Sequence, residues 1–249
     1  MRPTVLITGG AKRIGATISR AFAQAGWHVV IHYGSSRQEA ESLASALPFA
    51  ECVQCDLADG NAAVAMINNL AARLDNWRVL VNCAAIFLPD SVHALDPLIF
   101  ARSTTINAET PARMAQTFLN IAKARGGRRV IGFLDQKLVN PNPDFFSYTM
   151  AKHAFASTVR MMAMAAGNRE DRVYGLAPGA VLPSYDQRTE EHRLSGCMNL
   201  LHRLTEPREL ADAALFLAEG WLASGETLFV DSGQHLLAQP RDVLYLVRQ

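Results

Sequence analysis

The chain lacks almost any net charge. Its 24 lysines and arginines against 23 acidic residues leave a formal charge of +1, so nothing calls for nucleic acid or a membrane surface as a partner. It lacks an apolar stretch long enough to span a bilayer. It also lacks a charged-then-apolar leader, since a strand-like run starts by Thr4, and a cytoplasmic location is expected. Cysteine is scarce, at four residues, which suits a reducing compartment. Cys52 and Cys55 have C-x-x-C spacing, yet they fall on an expected strand, where an offset of three turns them to opposite faces. No second pair completes a zinc site, and the seven histidines form no H-E-x-x-H or similar cluster, so no metal is expected. His153 is expected on a helix surface or an interface. No repeat, low-complexity run or linker divides the 249 residues, and 49% hydrophobic content is enough for one α/β core.

What the chain does have is alternation. The apolar run Thr4 to Ile7 is followed by Thr8-Gly9-Gly10-Ala11-Lys12-Arg13-Ile14-Gly15 and then by a helical stretch from Ala16 to Ala25. A strand, a glycine-bearing turn and a helix start present backbone N–H groups to a phosphate. Gly9 allows the tight turn, and Gly15 lets the helix sit close to the strand. Further strands are expected at His28 to Tyr33, Glu51 to Cys55, Arg78 to Asn82, Arg129 to Phe133, Arg172 to Leu176 and Thr227 to Val230. Helices are expected at Arg37 to Ala46, Asn61 to Leu74, around Phe100 to Arg125, from Tyr148 to about Ala166, and from Pro207 to Glu219. Short apolar runs separated by helices predict a doubly wound, parallel, seven-stranded sheet in one domain spanning 1–249. Ligands then sit beyond the carboxyl ends of the strands, where Asn82, Asp135 and the first glycine turn emerge.

Tyr148 and Lys152 lie one helical turn apart, on one face. A free tyrosine titrates near ~10, and matching it to neutral pH takes roughly 4 kcal/mol. A cation beside it favours the phenolate and makes the phenol a stronger acid.

Taken together these residues resemble the short-chain dehydrogenase/reductase family over essentially the whole chain. The matching pieces are the glycine turn, Asp56 with Leu57 after the third strand, and Asn82-Cys83-Ala84-Ala85 after the fourth. Asn107 in the long helix, Tyr148/Lys152, and Pro178-Gly179 after the sixth strand complete the set. The resemblance implies a Rossmann fold, an NAD(P) cofactor and hydride transfer, with Tyr148 as proton donor. Lys152 would bind the nicotinamide ribose and tune Tyr148, and Asn107 would hold a water in a proton relay. A narrower likeness, to the pteridine and dihydromonapterin reductases, is carried by Arg13 in place of the central glycine, by His32-Tyr33, by Phe87 and by Tyr148-Thr149-Met150-Ala151-Lys152. Asp135 adds to it, thirteen residues before Tyr148, where most of the larger family has serine. Ala85 departs from this group, which often has serine there, and so does the lack of an arginine near Ser35.

Asp135 also carries a physical argument. Reducing a simple ketone builds negative charge on oxygen, and a carboxylate ~4 Å away opposes it by about 4 kcal/mol at an effective dielectric of ~20. That is near a thousandfold in rate. An aspartate suits a substrate that presents N–H groups or needs a ring nitrogen protonated, such as a pterin, on which Phe87 could stack. Asp135, Tyr148 and Phe87 are therefore the expected substrate contacts.

The cofactor is expected to be NADP(H). An NAD site usually has a carboxylate after the second strand, whereas His32-Tyr33-Gly34-Ser35-Ser36-Arg37 has none. Arg13, with Lys12 beside it, can grip a 2′-phosphate. Gly9, Ile14, Gly15, His32, Tyr33, Ser35, Ser36, Asp56, Leu57, Asn82, Ala84, Tyr148, Lys152, Pro178 and Gly179 complete the expected cofactor set.

Two segments stay open. A substrate loop at about 182–205 shows no clean period. A tail at 238–249 carries exposed-looking apolar residues that a neighbouring subunit would bury, with Arg248 able to reach that neighbour's pocket; similar enzymes are often homotetramers. The leading function is NADPH-dependent pterin reduction. A carbonyl reductase, for example of 3-oxoacyl thioesters, would share Tyr148 and Lys152, but Asp135 and Arg13 argue against it. An enoyl reductase would have a longer tyrosine-to-lysine spacing. A non-catalytic dinucleotide sensor would be expected to have a broken Tyr/Lys pair.

Overall fold

In the computed structural model, which describes residues 2–248 apart from Tyr185, alternate strand side chains are claimed by opposite layers. Val5 and Ile7 pack into one core and Leu6 into the other; Val79 and Val81 oppose Leu80 in the same way. The strands are β1 (Thr4–Ile7), β2 (His28–Tyr33), β3 (Ala50–Gln54), β4 (Trp77–Asn82), β5 (Arg129–Phe133), β6 (Arg172–Pro178) and β7 (Thr227–Val230). All pair in parallel, in the order β3-β2-β1-β4-β5-β6-β7. The direction of winding reverses between β1 and β4, which opens a crevice at their carboxyl ends.

The helices are α1 (Arg13–Gln24), α2 (Arg37–Ala46), α3 (Gly60–Arg73), α4 (Pro97–Thr104), α5 (Thr110–Ile121), α6 (Phe146–Ala165), α7 (Thr189–Gly196), α8 (Pro207–Glu219) and α9 (Val243–Leu246). α1, α2 and α8 cover one face through Phe22, Leu43 and Leu210, while α3, α5 and α6 cover the other through Ile67, Phe118 and Phe155. Each such side chain contributes roughly 1.5–3 kcal/mol on burial. Cys52 packs against the first core and Cys55 lies in the second, as the offset of three predicts, and all four cysteines are free.

Three segments differ from expectation. The long helix expected around Phe100 to Arg125 is broken by a π-helical turn, Thr105–Glu109, in which Thr110 N–H bonds to Thr105 O. Pro111 has no N–H for the carbonyl four residues back, so the α register cannot pass through unbroken. The loop at 182–205 contains α7, with Glu191 closing a capping box on Arg188. Its Tyr185 lies outside the described residues, as does Gln249 of the tail. The tail does not wait for a neighbour. Val243 and Leu244 are buried within the chain, Leu244 against Phe145 and Tyr148. Arg248 bonds to Asp186 and Glu191 of its own chain. Asp144 anchors the tail, accepting from Arg241 Nε at 2.7 Å and from Asp242 N at 2.8 Å. Among the described residues no helix is long and apolar enough to cross a membrane.

Candidate active site

The glycine turn is built from close approach. Gly9 has φ +63°, and a Cβ there would lie 3.2 Å from Ala84 Cα; at Gly15 it would lie 2.2 Å from Gly9 O. Neither position tolerates a side chain without moving backbone. Arg13, where the usual pattern has glycine, has φ +52° and so holds a strained left-handed conformation. Its Nη2 donates to Pro183 O at 2.8 Å, tying the turn to the substrate loop. α1 begins without a side-chain cap and without an acidic residue in its first turn. Its leading N–H groups form a ready anion site.

His32 supports this turn from below and is not on its open side. Gly9 N donates to His32 Nδ1 at 3.1 Å, so Nε2 carries the proton given to Cys55 O at 3.0 Å. Burial draws the ring down to about 4. Both ring nitrogens are thus engaged within the chain, and the neutral ring acts as a strut beneath the turn.

A cleft of about 340 Å³ opens above the turn, lined by Gly9, Lys12, Arg13, Ile14, Gly15, Tyr33, Ser36, Ala84, Tyr148, Lys152 and Pro178 of the expected set. Cys83 also lines it, and burial pushes its thiol up to about 12, which keeps it protonated. Ser35, Asp56, Leu57 and Asn82 are not in its wall. Asp56 turns back to accept from Ala58 N at 2.9 Å, and Asn82 Nδ2 donates to Pro111 O at 3.1 Å. Lys12 is paired with Glu39 at 2.5 Å and Arg37 with Glu41 at 2.8 Å. Arg13 is thus the turn's cation free of a carboxylate.

A second cleft, of about 450 Å³, shares Arg13, Ile14, Ala85, Tyr148 and Pro178 with the first and continues to Phe87, Asp135 and Gly179. Here Tyr148 Oη donates to Asp135 Oδ2 at 2.8 Å, while Lys137 N donates to Asp135 Oδ1 at 2.9 Å. Phe87 meets the Tyr148 ring edge-on at 4.7 Å and is stacked on Phe145 at 3.8 Å. Phe145 itself, just ahead of α6, has φ +53°.

The tuning of Tyr148 has the opposite sign to that expected. Burial, and then the Asp135 carboxylate, push the phenol well above its ordinary range. Losing its proton would set two buried anions side by side. Lys152 donates to Phe133 O at 2.7 Å, and burial draws it down to about 8. Burial also raises the Asp135 carboxyl, against the opposing charge of Lys137 and the hydrogen bonds of Lys137 N and Tyr148. Asn107 commits its side chain to Ile86, accepting from Ile86 N and donating to Ile86 O, both at 2.9 Å.

The second cleft also holds residues that the sequence did not disclose. Lys137, Gln187, Gln234, Asp242, Val243 and Leu244 all line it. Asp242 to Leu244 come from the tail, whose apolar residues were the available signal.

Residues 9–235 match the family model adh_short_C2, described as enoyl-(acyl carrier protein) reductase. The chain is 28% identical to pteridine reductase 1 of Leishmania tarentolae, over 94% of this chain and 96% of that protein. It is also 28% identical to 7alpha-hydroxysteroid dehydrogenase of Escherichia coli K12, over 92% of each. Among solved structures, FolM alternative dihydrofolate reductase 1 from Brucella canis, complexed with NADP, superposes with a TM-score of 0.87 at 32% identity over 95% of both chains.

Proposed function

Because the chain belongs to the short-chain dehydrogenase/reductase family, we propose that this oxidoreductase uses NADPH to reduce a pterin of dihydropteridine type. The observation that carries this reading is the 2.8 Å hydrogen bond from Tyr148 to Asp135 where the two clefts meet. NADP fits the first cleft through the uncapped start of α1, the side-chain-free approaches at Gly9 and Gly15, and the guanidinium of Arg13. The Brucella relative, complexed with NADP, supports the same cofactor. Bound there, the nicotinamide would supply a hydride.

The remaining chemistry belongs to the chain. Asp135 accepts N–H groups of the heterocycle, and Phe87 supplies a flat apolar wall. Tyr148, held protonated beside the carboxylate, donates the proton that the reduced imine nitrogen takes up. Lys152 would hold the ribose of the cofactor, and its charge balances that of Asp135.

A panel of dihydropterins and ketones, followed by NADPH oxidation, tests the reading. Turnover of pterins with little turnover of 3-oxoacyl thioesters is the expected result. The reverse would favour carbonyl reduction, the second reading, which the likeness to a hydroxysteroid dehydrogenase supports. The proposal includes a homotetramer, supported by apolar residues left exposed on α6 (Met161 and Met164) and at the end of α8 (Phe216 and Trp221). Sedimentation equilibrium checks it.

A further inference from the structure

Two lysines are buried among the described residues, Lys152 and Lys137, and the chemistry above uses only the first. Lys137 is two residues past Asp135, in a 3-10 turn over Gln136–Leu138, and its side chain is 4% exposed. Its Nζ forms an ion pair with Asp242 Oδ2 at 2.6 Å, and no further hydrogen-bond partner reaches this buried ammonium among the described residues. The ammonium lies 4.9 Å from the Phe145 ring centre and 5.7 Å from that of Phe87. A buried ion pair returns little net stability, and an apolar pair of similar volume would serve packing as well. Its position in the wall of the second cleft, which Asp135 and Asp242 also line, is what needs explaining.

We propose that Lys137 is a positioning residue that keeps Asp135 in its carboxylate form, and that Asp242 of the chain's own tail, paired with Lys137, offsets part of its charge. The proposal rests on the assignment of Asp135 to the substrate site. Burial alone drives Asp135 towards the neutral acid, and the Lys137 charge is the strongest influence against that drift. The other charged or titratable groups around the pair are Tyr148, Lys152 and His153 from α6, Asp144 from the loop before α6, and Arg241 from the tail. Of these, Lys152 also opposes protonation of Asp135, more weakly than Lys137. Asp144 and Arg241 are paired with each other. The tail therefore acts on the chemistry through charge as well as by closing the cleft.

Carboxyl-carbon NMR titration of the full chain tests this, with the Asp135 signal assigned by Asp135→Asn. Lys137→Met should raise the proton affinity of Asp135 by about tenfold. Asp242→Asn, which unmasks the lysine charge, should lower it, and Lys137→Arg should restore the wild-type curve. A purely structural bridge would give no shift, or shifts of one sign in both variants, and either result overturns the proposal. Should Lys137→Met not fold, the downward shift in Asp242→Asn carries the test alone. The titration needs no turnover, so a chain that reduces no pterin sinks the functional reading without obscuring this result. If pterin is reduced, the acidic limb of the kcat profile should move with the Asp135 titration while NADPH affinity stays put.

Discussion

The two clefts that meet at Tyr148 are built on different principles. Around Gly9 the wall is mostly backbone: a left-handed glycine, a helix start without a cap, and a neutral histidine beneath. Around Asp135 the wall is side chains, with ionisable groups from residues 135–137, from α6 and from the tail packed against Phe87 and Phe145. A backbone site needs particular residue types at fixed local spacing. A side-chain site needs only convergence in space, which any distant segment can provide. The first is therefore tolerant of charge changes and intolerant of bulk, and the second the reverse.

Tyr148→Phe should break the comparison most sharply, because it removes one hydroxyl and leaves the ring in place. Turnover should fall on the order of 10⁴-fold, with NADPH affinity by fluorescence titration nearly unchanged. An equal loss of both would mean that the phenol belongs to the cofactor cleft. Asp135→Ser comes next. Pterin reduction should drop by roughly 10²- to 10³-fold, while any reduction of a plain ketone holds or improves, since an opposing charge has gone. Pterin turnover that survives the change would remove Asp135 from its role.

How far the sequence could be read follows the same divide. Gly9, Gly15 and the strand–turn–helix order mark a backbone site in consecutive residues, and the parallel sheet was legible from its apolar runs. The meeting of Tyr148 and Asp135 was expected from the family resemblance that their positions carry, together with the one-turn spacing of Tyr148 and Lys152. The π-helical turn was not, although Pro111 sits where the α register fails. Lys137 reads in sequence as one more surface cation, because nothing local says that a tail a hundred residues on will bury it beside Asp242. His32 was placed at the right turn, but its work as a strut was not legible, since burial and two partners from elsewhere in the fold decide its protonation.

That duty has a pH signature. His32 is held near 4 when folded and returns to its ordinary value of 6.5 when unfolded. Between those values the unfolded chain binds the extra proton, so stability rises with pH. The contribution is intact above the unfolded value and is lost as pH falls towards the folded one, by about 3 kcal/mol in all. Urea unfolding of wild type and His32→Gln, compared across that window, isolates it: the variant should be less stable at neutral pH, and the difference should shrink on acidification. Parallel curves would show that the ring does not titrate as the strut requires.

Arg13 stands in both clefts, so its replacement should have the smallest and most divided effect. Glycine suits φ +52°, and Arg13→Gly should relieve strain of about 1 kcal/mol while releasing the bond to Pro183. Loss of the guanidinium should reduce the preference for NADPH over NADH by roughly tenfold. Arg13→Ala separates the two contributions, because it removes the charge and keeps the strained backbone. If the preference for NADPH survives in both variants, discrimination of the 2′-phosphate passes to Lys12 and Ser36, which line the same cleft. Side-chain charge would then still serve the first cleft, from Lys12, and the contrast with the second would hold for the glycine turn alone.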